Sequence, residues 1–267
     1  MRETAVTDSS SIAKLEATSD NKYKEGKIDS VLGFRIKSKL KVFEDSFFYY
    51  RKMEDSLSAL LQYKKEFRKR YRSWVLPAID SLKRNYERYK DRLALYLLIE
   101  DGLSIANYHL YDMAAFFGPG KFTIPVEKED SAMLAFSPLI DSLIAFSDKY
   151  KGRKRVASLV ILGFADATGF SGKSPLADTL AILIGNGPVT RELLNKKLSE
   201  LRAEEICRQL ARLYYKKSSS VSNNSELRLE YNYQGKGESF PLPYIKDYTA
   251  GDPRRRIVLC YWTVLPE

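Results

Sequence analysis

The sequence predicts an α+β fold, a mixed strand-and-helix domain preceded by an all-helical region. Three observations carry the prediction. Between Leu40 and Leu97 apolar residues recur at three- and four-residue steps with charges in the gaps, the mark of long amphipathic helix. Beyond residue 120 short strand patterns alternate with helical ones. The run Val156–Phe164, VASLVILGF, is apolar on both faces and too short for a helix of the usual length, as expected of a covered strand.

The polar opening, rich in Ser, Asp and Lys, predicts a flexible lead-in over residues 1–33. Residues 34–117 follow as two or three helices, a hairpin bundle or a coiled-coil stalk. Pro77 kinks or breaks them, because proline lacks a backbone donor and clashes one turn back. Gly102 is a second weak point, and Gly118-Pro119-Gly120 a firm stop. The third region, residues 118–267, reads as a short strand at Lys121–Val126, a helix at Asp130–Tyr150 with Ser137-Pro138 as cap and first-turn proline, and the strand Arg155–Phe164. Next come a helical segment over 174–194, a helix at Asn195–Tyr215, a Ser/Asn-rich loop at 216–224, and the strands Leu227–Gln234 and Arg256–Val264. The order is βαβαββ.

Composition narrows the function. The 267 residues are 44% hydrophobic and 12% aromatic, enough for a packed core. No apolar run approaches the roughly 20 residues that span a bilayer, and the first residues lack the apolar stretch of a secretory signal. The formal charge of +10, from 44 basic and 34 acidic residues, favours acidic partners, but it is spread along the chain without a basic tail. A dedicated nucleic-acid protein is therefore disfavoured. Two cysteines, Cys207 and Cys260, exclude a disulfide framework and a cysteine zinc site. The one histidine, His109, sits in a helical pattern between tyrosines, where a structural role is expected. No nucleophile–base pair and no tuned carboxylate pair is evident, so no enzyme and no cofactor are expected.

Four pieces in order then carry a resemblance. Leu162-Gly-Phe-Ala-Asp166-Ala-Thr-Gly169 matches a strand ending in a Gly-x-Thr-Asp-x-x-Gly loop. Asn195-Lys-Lys-Leu-Ser-Glu-Leu-Arg202-Ala203 matches a helix of the form Asn-x-x-Leu-Ser-x-x-Arg-Ala. Gly235-Lys-Gly-Glu-Ser-Phe-Pro241 matches a Gly-x-Gly-Glu-x-x-Pro loop, and Arg255-Arg256-Ile257 an Arg-Arg-Val strand start. Residues 120–264 thus resemble the OmpA-like, MotB-type peptidoglycan-binding family. Three departures stand out: Ala165 replaces the loop Thr, an insertion occupies residues 170–194, and Arg254 replaces the Asn before the arginine pair.

The resemblance implies a ligand, the diaminopimelate of a peptidoglycan stem, held by Asp166, Thr168, Asn195, Leu198, Arg202 and Arg256. A carboxylate accepts the ligand's ammonium; a guanidinium takes its carboxylate with two parallel bonds. Backbone N–H groups at a helix start add anion affinity. Each residue also has a plainer reading. Asp166 and Arg202 can pair with each other or cap the helix, and Asn195 and Ser199 suit a helix start. Leu198, Ala203, Ile206 and Leu210 fall at core spacing. Arg255 and Arg256 are pocket cations or strand-start charges.

Strand alternation adds an inference of its own. The strands at 155–164 and 256–264 are apolar on both faces, whereas Arg228, Glu230, Asn232 and Gln234 turn one face of Leu227–Gln234 outward. Part of the helical region or the 170–194 insertion is thus expected over the second face, burying Val160, Leu162 and Trp262. The same parity puts Cys260 on the outer face, away from Cys207.

The implied function is a non-catalytic envelope protein that grips peptidoglycan and anchors or positions a helical module. That module is a dimerisation element or a dock for a membrane protein. Localisation in the periplasm then requires a membrane or lipoprotein signal outside this chain. The competing reading is an intracellular scaffold reusing the fold to bind a protein or nucleic acid.

Overall fold

A computed structural model describes residues 9–28, 30–62, 65, 68–69, 71–104, 108–118, 121–170, 174–185, 189–218, 226–242, 244–245 and 247–267. Phe67, the Pro119-Gly120 stop and most of the 216–224 loop lie outside the described residues, as do parts of the insertion. The chain divides into two compact units, Met1–Ile105 (with Pro266) and Ala106–Leu265 (with Glu267).

The first unit packs α1 (Ser9–Lys24), α2 (Ser30–Gln62) and α3 (Leu76–Ser104) against one another. Residues 9–24 are helical, not a flexible lead-in. Ile12, Leu15 and Ser19 recur at helical spacing and are buried, so tertiary packing overrides a polar composition. Ile28, Leu32, Ile36, Leu40 and Phe43 extend the buried stripe, and Phe43 stacks on Tyr96 at 4.9 Å. Helix α3 is preceded by a π-helical turn at Tyr71–Val75, directly before Pro77, whose missing N–H disturbs the ladder there. Gly102 does not end α3, which runs to Ser104.

The second unit is an α+β layer pair: a four-stranded sheet of order β1-β4-β2-β3 with helices on its inner face. Its elements are β1 (Tyr108–Asp112), α4 (Met113–Phe116), α5 (Val126–Asp148), β2 (Arg155–Gly163), α6 (Pro175–Ile184), α7 (Arg191–Ser218), β3 (Leu227–Gly235) and β4 (Ile257–Pro266). Strand β1 runs antiparallel to β4, with Tyr111 opposite Val258, and β3 runs parallel to β2, with Ile161 opposite Tyr233. The bonds Phe164 N–H to Ile257 C=O and Glu267 N–H to Lys154 C=O fix β4 antiparallel to β2.

The expected βαβαββ order is present, but its first strand is β1, not Lys121–Val126. Helical periodicity had extended across Tyr108–Asp112; pairing with β4 makes it a strand and moves His109 onto the sheet. Residues 121–125 instead run beside α7, where Ile124 N–H reaches Glu205 Oε1 at 3.5 Å. Pro138 lies inside α5 rather than at its start. The carbonyl it leaves undonated belongs to Leu134, on the exposed side, where water can take it. The Ser-Pro start occurs at Ser174-Pro175, where the Ser174 hydroxyl caps α6.

Phe136, Leu139, Ile140 and Leu143 of α5 and Ile206 and Leu210 of α7 are buried over the sheet. Arg155 is also fully buried: its guanidinium reaches the Ser147 carbonyl, while Nε and one Nη find no partner among the described residues.

Val160, Leu162 and Trp262 are all buried, yet not on one face. Val160, Leu162, Phe164, Ile257 and Leu259 form the outer cluster, closed in part by Leu242 from the β3–β4 loop. Trp262 meets Phe146 of α5 on the inner face. The β4 register therefore places Cys260 inward as well, on the side of Cys207; both thiols are buried and free. Helix α6 of the insertion packs on α7 around Leu180, Leu194 and Leu198 rather than on the sheet.

Candidate functional site

The C-terminal ends of β2 and β3 come very close to the start of α7, and two glycines make that possible. A Cβ on Gly163 would stand 2.1 Å from the Ser199 carbonyl oxygen, and one on Gly235 would stand 2.3 Å from that of Lys196. With both positions bare, the chain leaving β2 lies directly against the helix. Ser199 completes the join, accepting from Gly237 N–H at 3.0 Å and donating to the Lys196 carbonyl at 2.8 Å. Gly237 takes φ +55°, the left-handed region in which side chains are strained.

The loop after β2 is held from three sides. Ala165 N–H donates to Gly237 C=O at 2.8 Å, and Ala167 N–H to Ala250 C=O at 2.7 Å. Asn195, 3% exposed, donates its side-chain amide to the Asp166 carbonyl at 3.2 Å and the Thr168 carbonyl at 3.5 Å. The same amide reaches Glu238 Oε1 at 2.8 Å, and Arg191 grips that carboxylate with two bonds of 2.9 and 3.0 Å. Asn195 is thus a brace tying α7, the β2 loop and the β3–β4 loop together. Sequence reasoning placed Glu238 only within its glycine motif and missed Arg191; the glutamate directly after two close-approach glycines was the signal available.

On this frame sit the charges. Asp166 is 8% exposed; one carboxylate oxygen accepts from the Thr168 N–H at 3.2 Å and from its hydroxyl, and the other lies 3.3 Å from Arg256 Nε. Arg256 remains exposed. Arg202 feels both neighbours. Burial first and the Arg256 charge second lower its pKa to about 10 against the opposing pull of the Asp166 charge, so it stays protonated at neutral pH. Its Nε donates to the Lys121 carbonyl at 3.1 Å, and its guanidinium lies over the Phe117 ring at 5.4 Å.

The structure therefore brings Asp166 and Thr168 near Arg202, 36 positions beyond Asp166, and Arg256, 90 positions beyond it, while α6 of the insertion packs on α7. Neither Asp166 nor Arg202 is unpaired, and they do not hold each other: Asp166 is engaged by Thr168 and Arg256, and Arg202 by the Lys121 carbonyl. Leu198 packs in the α6–α7 apolar cluster. Arg255, 5% exposed, is a structural cation: it donates to the carbonyls of Glu238, Thr249 and Ala250 and lies over the Phe240 ring. A groove of about 660 Å³ opens beside β3, lined by Glu192, Lys196, Glu200, Tyr233, Lys236 and Glu238 among others. Among the described residues no three His, Cys, Asp or Glu side chains converge as a metal site would require, and no helix is long and apolar enough to cross a membrane.

No protein-family model matches the sequence, and no curated protein matches it. Several solved structures are similar, two of them as follows. The OmpA-like domain of FopA1 from Francisella tularensis is 16% identical, with a TM-score of 0.27, over 60% of this chain and 72% of that one. A MotB-like protein from Desulfovibrio vulgaris is 15% identical, with a TM-score of 0.34, over 71% of this chain and 96% of that one.

Proposed function

We propose that the second unit is an OmpA-like module that binds the peptide stems of peptidoglycan and so holds the attached helical unit at the cell wall. The observation that carries this reading is the convergence of Asp166, Thr168, Arg202 and Arg256 on a rigidly braced loop, in the motif order of that family. Arg256 pairs with the Asp166 carboxylate there, and Arg202 lies within electrostatic reach of both. An incoming ligand carboxylate relieves the repulsion between Arg202 and Arg256, while the ligand's ammonium takes the place of Arg256 beside Asp166. Such an exchange replaces one charge-assisted contact by two, worth roughly 1.5–3 kcal/mol each. The braces do not need to move.

Co-sedimentation with purified sacculi tests the reading. The parent should pellet with them, and Arg256→Ala should weaken retention tenfold or more while leaving thermal stability nearly unchanged, because an exposed ion pair contributes only about 0–1 kcal/mol. Arg202→Ala should weaken both, since Arg202 also holds the 121–125 segment. The closed Asp166–Arg256 pair favours the scaffold reading to the extent that it is a finished structural contact. Retention of the parent on a protein or nucleic-acid partner, with none on sacculi, selects that reading.

A further inference from the structure

The β3–β4 loop carries a cluster of large aromatic rings that the peptide site does not use. Phe240 is 60% exposed and Tyr244 68% exposed. Neither is loose. Phe240 stacks on Tyr248 with centroids 5.2 Å apart and planes 19° from parallel, and the Arg255 guanidinium lies 5.1 Å from its centre. Arg255 is itself fixed by carbonyls of the same loop. The Tyr244 hydroxyl is hydrogen-bonded to that of Tyr108 on β1, itself packed on Tyr261 at 5.9 Å. Tyr244 also lies within electrostatic reach of Tyr248; exposed rings gathered in this way mark a contact site, and rings already held in place lose little entropy on binding.

The charges around the rings choose the occupant. Arg254 lies over Tyr248 and is paired with Asp252 and Asp247; Arg256 is paired with Asp166. Arg255 is spent on backbone carbonyls. Among the described residues that contact these rings, the cations Arg254, Arg255 and Arg256 stand with the carboxylates Asp247, Asp252 and Asp166, so these groups leave no excess charge for a phosphate backbone. A nucleic-acid surface combines stacked rings with a positive groove, and the second half of that pair is missing. What remains is flat aromatic area rimmed by phenol hydroxyls, guanidinium donors and carboxylate acceptors. That chemistry suits a neutral ring whose face is C–H and whose edge is hydroxyl and amide, which is a pyranose sugar.

We propose that Phe240 and Tyr244 form a saccharide platform that takes the N-acetylated sugar rings of a glycan strand beside the Asp166–Arg256 peptide site. The two sites share one frame, since Ala250 accepts from Ala167 N–H and Arg256 directly follows Arg255. This inference rests on the peptidoglycan reading for the source of the sugar.

The test uses the full chain and a soluble β-1,4-linked N-acetylglucosamine tetramer, titrated by NMR or calorimetry, beside a diaminopimelate-containing stem peptide and a single-stranded DNA oligomer. The expected result is saturable binding of the tetramer, weakened tenfold or more by Tyr244→Ala and by Phe240→Ala. Tyr244→Phe keeps the ring and should stay within threefold of the parent, which guards against simple loss of the loop. Stem-peptide binding should change less than twofold in Tyr244→Ala. If the parent does not bind the tetramer, or if Tyr244→Ala binds it as well as the parent, the platform is refuted. DNA binding that depends on Tyr244 refutes it in favour of a nucleic-acid surface. Failure of the stem peptide alone, with the tetramer still bound, counts against the peptide site and leaves the platform standing.

Discussion

Replacing Gly163 by alanine adds one methyl group at the tightest of the described glycine positions. Its Cβ would lie 2.1 Å from the Ser199 carbonyl oxygen, 3.0 Å from the Ser199 carbonyl carbon and 3.2 Å from the Ala203 methyl. Ordinary contact requires more than 3 Å, and both nearest atoms are helix backbone, which cannot swing aside. The strand must therefore withdraw from α7 by about an ångström. That disturbs packing over Leu159, Ile161 and Ile206 and stretches the Asn195 bonds to the 166–168 loop. Overpacking of this kind costs typically 1–3 kcal/mol, and the rigid neighbour puts Gly163→Ala at or above the upper end. A loss of about 3 kcal/mol corresponds to roughly 6–12 °C in Tm for a unit of this size. Gly169→Ala is the control: nothing lies within 4 Å of its Cβ position and its φ is not positive, so it should stay within about 0.5 kcal/mol of the parent. Thermal and urea unfolding followed by circular dichroism read both. A Gly163→Ala protein as stable as Gly169→Ala would show that the strand and helix do not approach as described.

Asn195→Ala should cost about 1–3 kcal/mol in urea unfolding, because it leaves the buried Asp166 carbonyl and Glu238 carboxylate without a donor they now share; an unchanged midpoint would deny it the bracing role. His109, half-buried on β1, has its pKa lowered from 6.5 by burial, so the folded protein binds this proton less readily than the unfolded chain. Its contribution is complete above pH about 6.5 and falls away on acidification through the lowered value; His109→Phe should flatten that segment of the stability–pH curve.

Local pattern was legible where packing and pattern agree. The strand at Arg155, the helix through Asn195 and the one-sided alternation of β3 all follow from side-chain period alone. Three features did not, each for a distinct reason. Helix α1 rests on Ile12 and Leu15, too few apolar positions to signal against a polar background; partners in α2 and α3 supply the rest. Strand β1 is a strand only because β4 lies beside it, and Tyr-His-Leu-Tyr-Asp has no helical or strand period long enough to decide. Alternation tells which residues of one strand share a face, but not which faces of two strands coincide. The Phe164–Ile257 bond sets that, and it reverses the side on which Trp262 and Cys260 fall. Within the site, the motif residues were legible as a set, while their division into braces and exposed charges was not, because Asn195, Ser199 and Arg255 take their roles from neighbours distant in sequence.

That division can be tested at Asp166. Asp166→Asn keeps an oxygen for the Thr168 N–H and hydroxyl, and Asn195 holds the backbone carbonyl of residue 166 rather than its side chain, so the loop remains braced. The substitution removes the ion pair to an exposed Arg256, worth about 0–1 kcal/mol of stability. Ligand recognition should change much more. Arg202 and Arg256 then repel with no Asp166 charge to offset them, so their attraction for an anion rises while the acceptor for an ammonium is gone. Free diaminopimelate-containing stem peptide should bind roughly tenfold more weakly, and the same peptide with its side-chain amine acetylated should bind no worse to the variant than to the parent. A parent that binds the two peptides equally would mean that Asp166 never meets the ammonium. In that case its carboxylate serves only Thr168 and Arg256, and the loop end is structure rather than site.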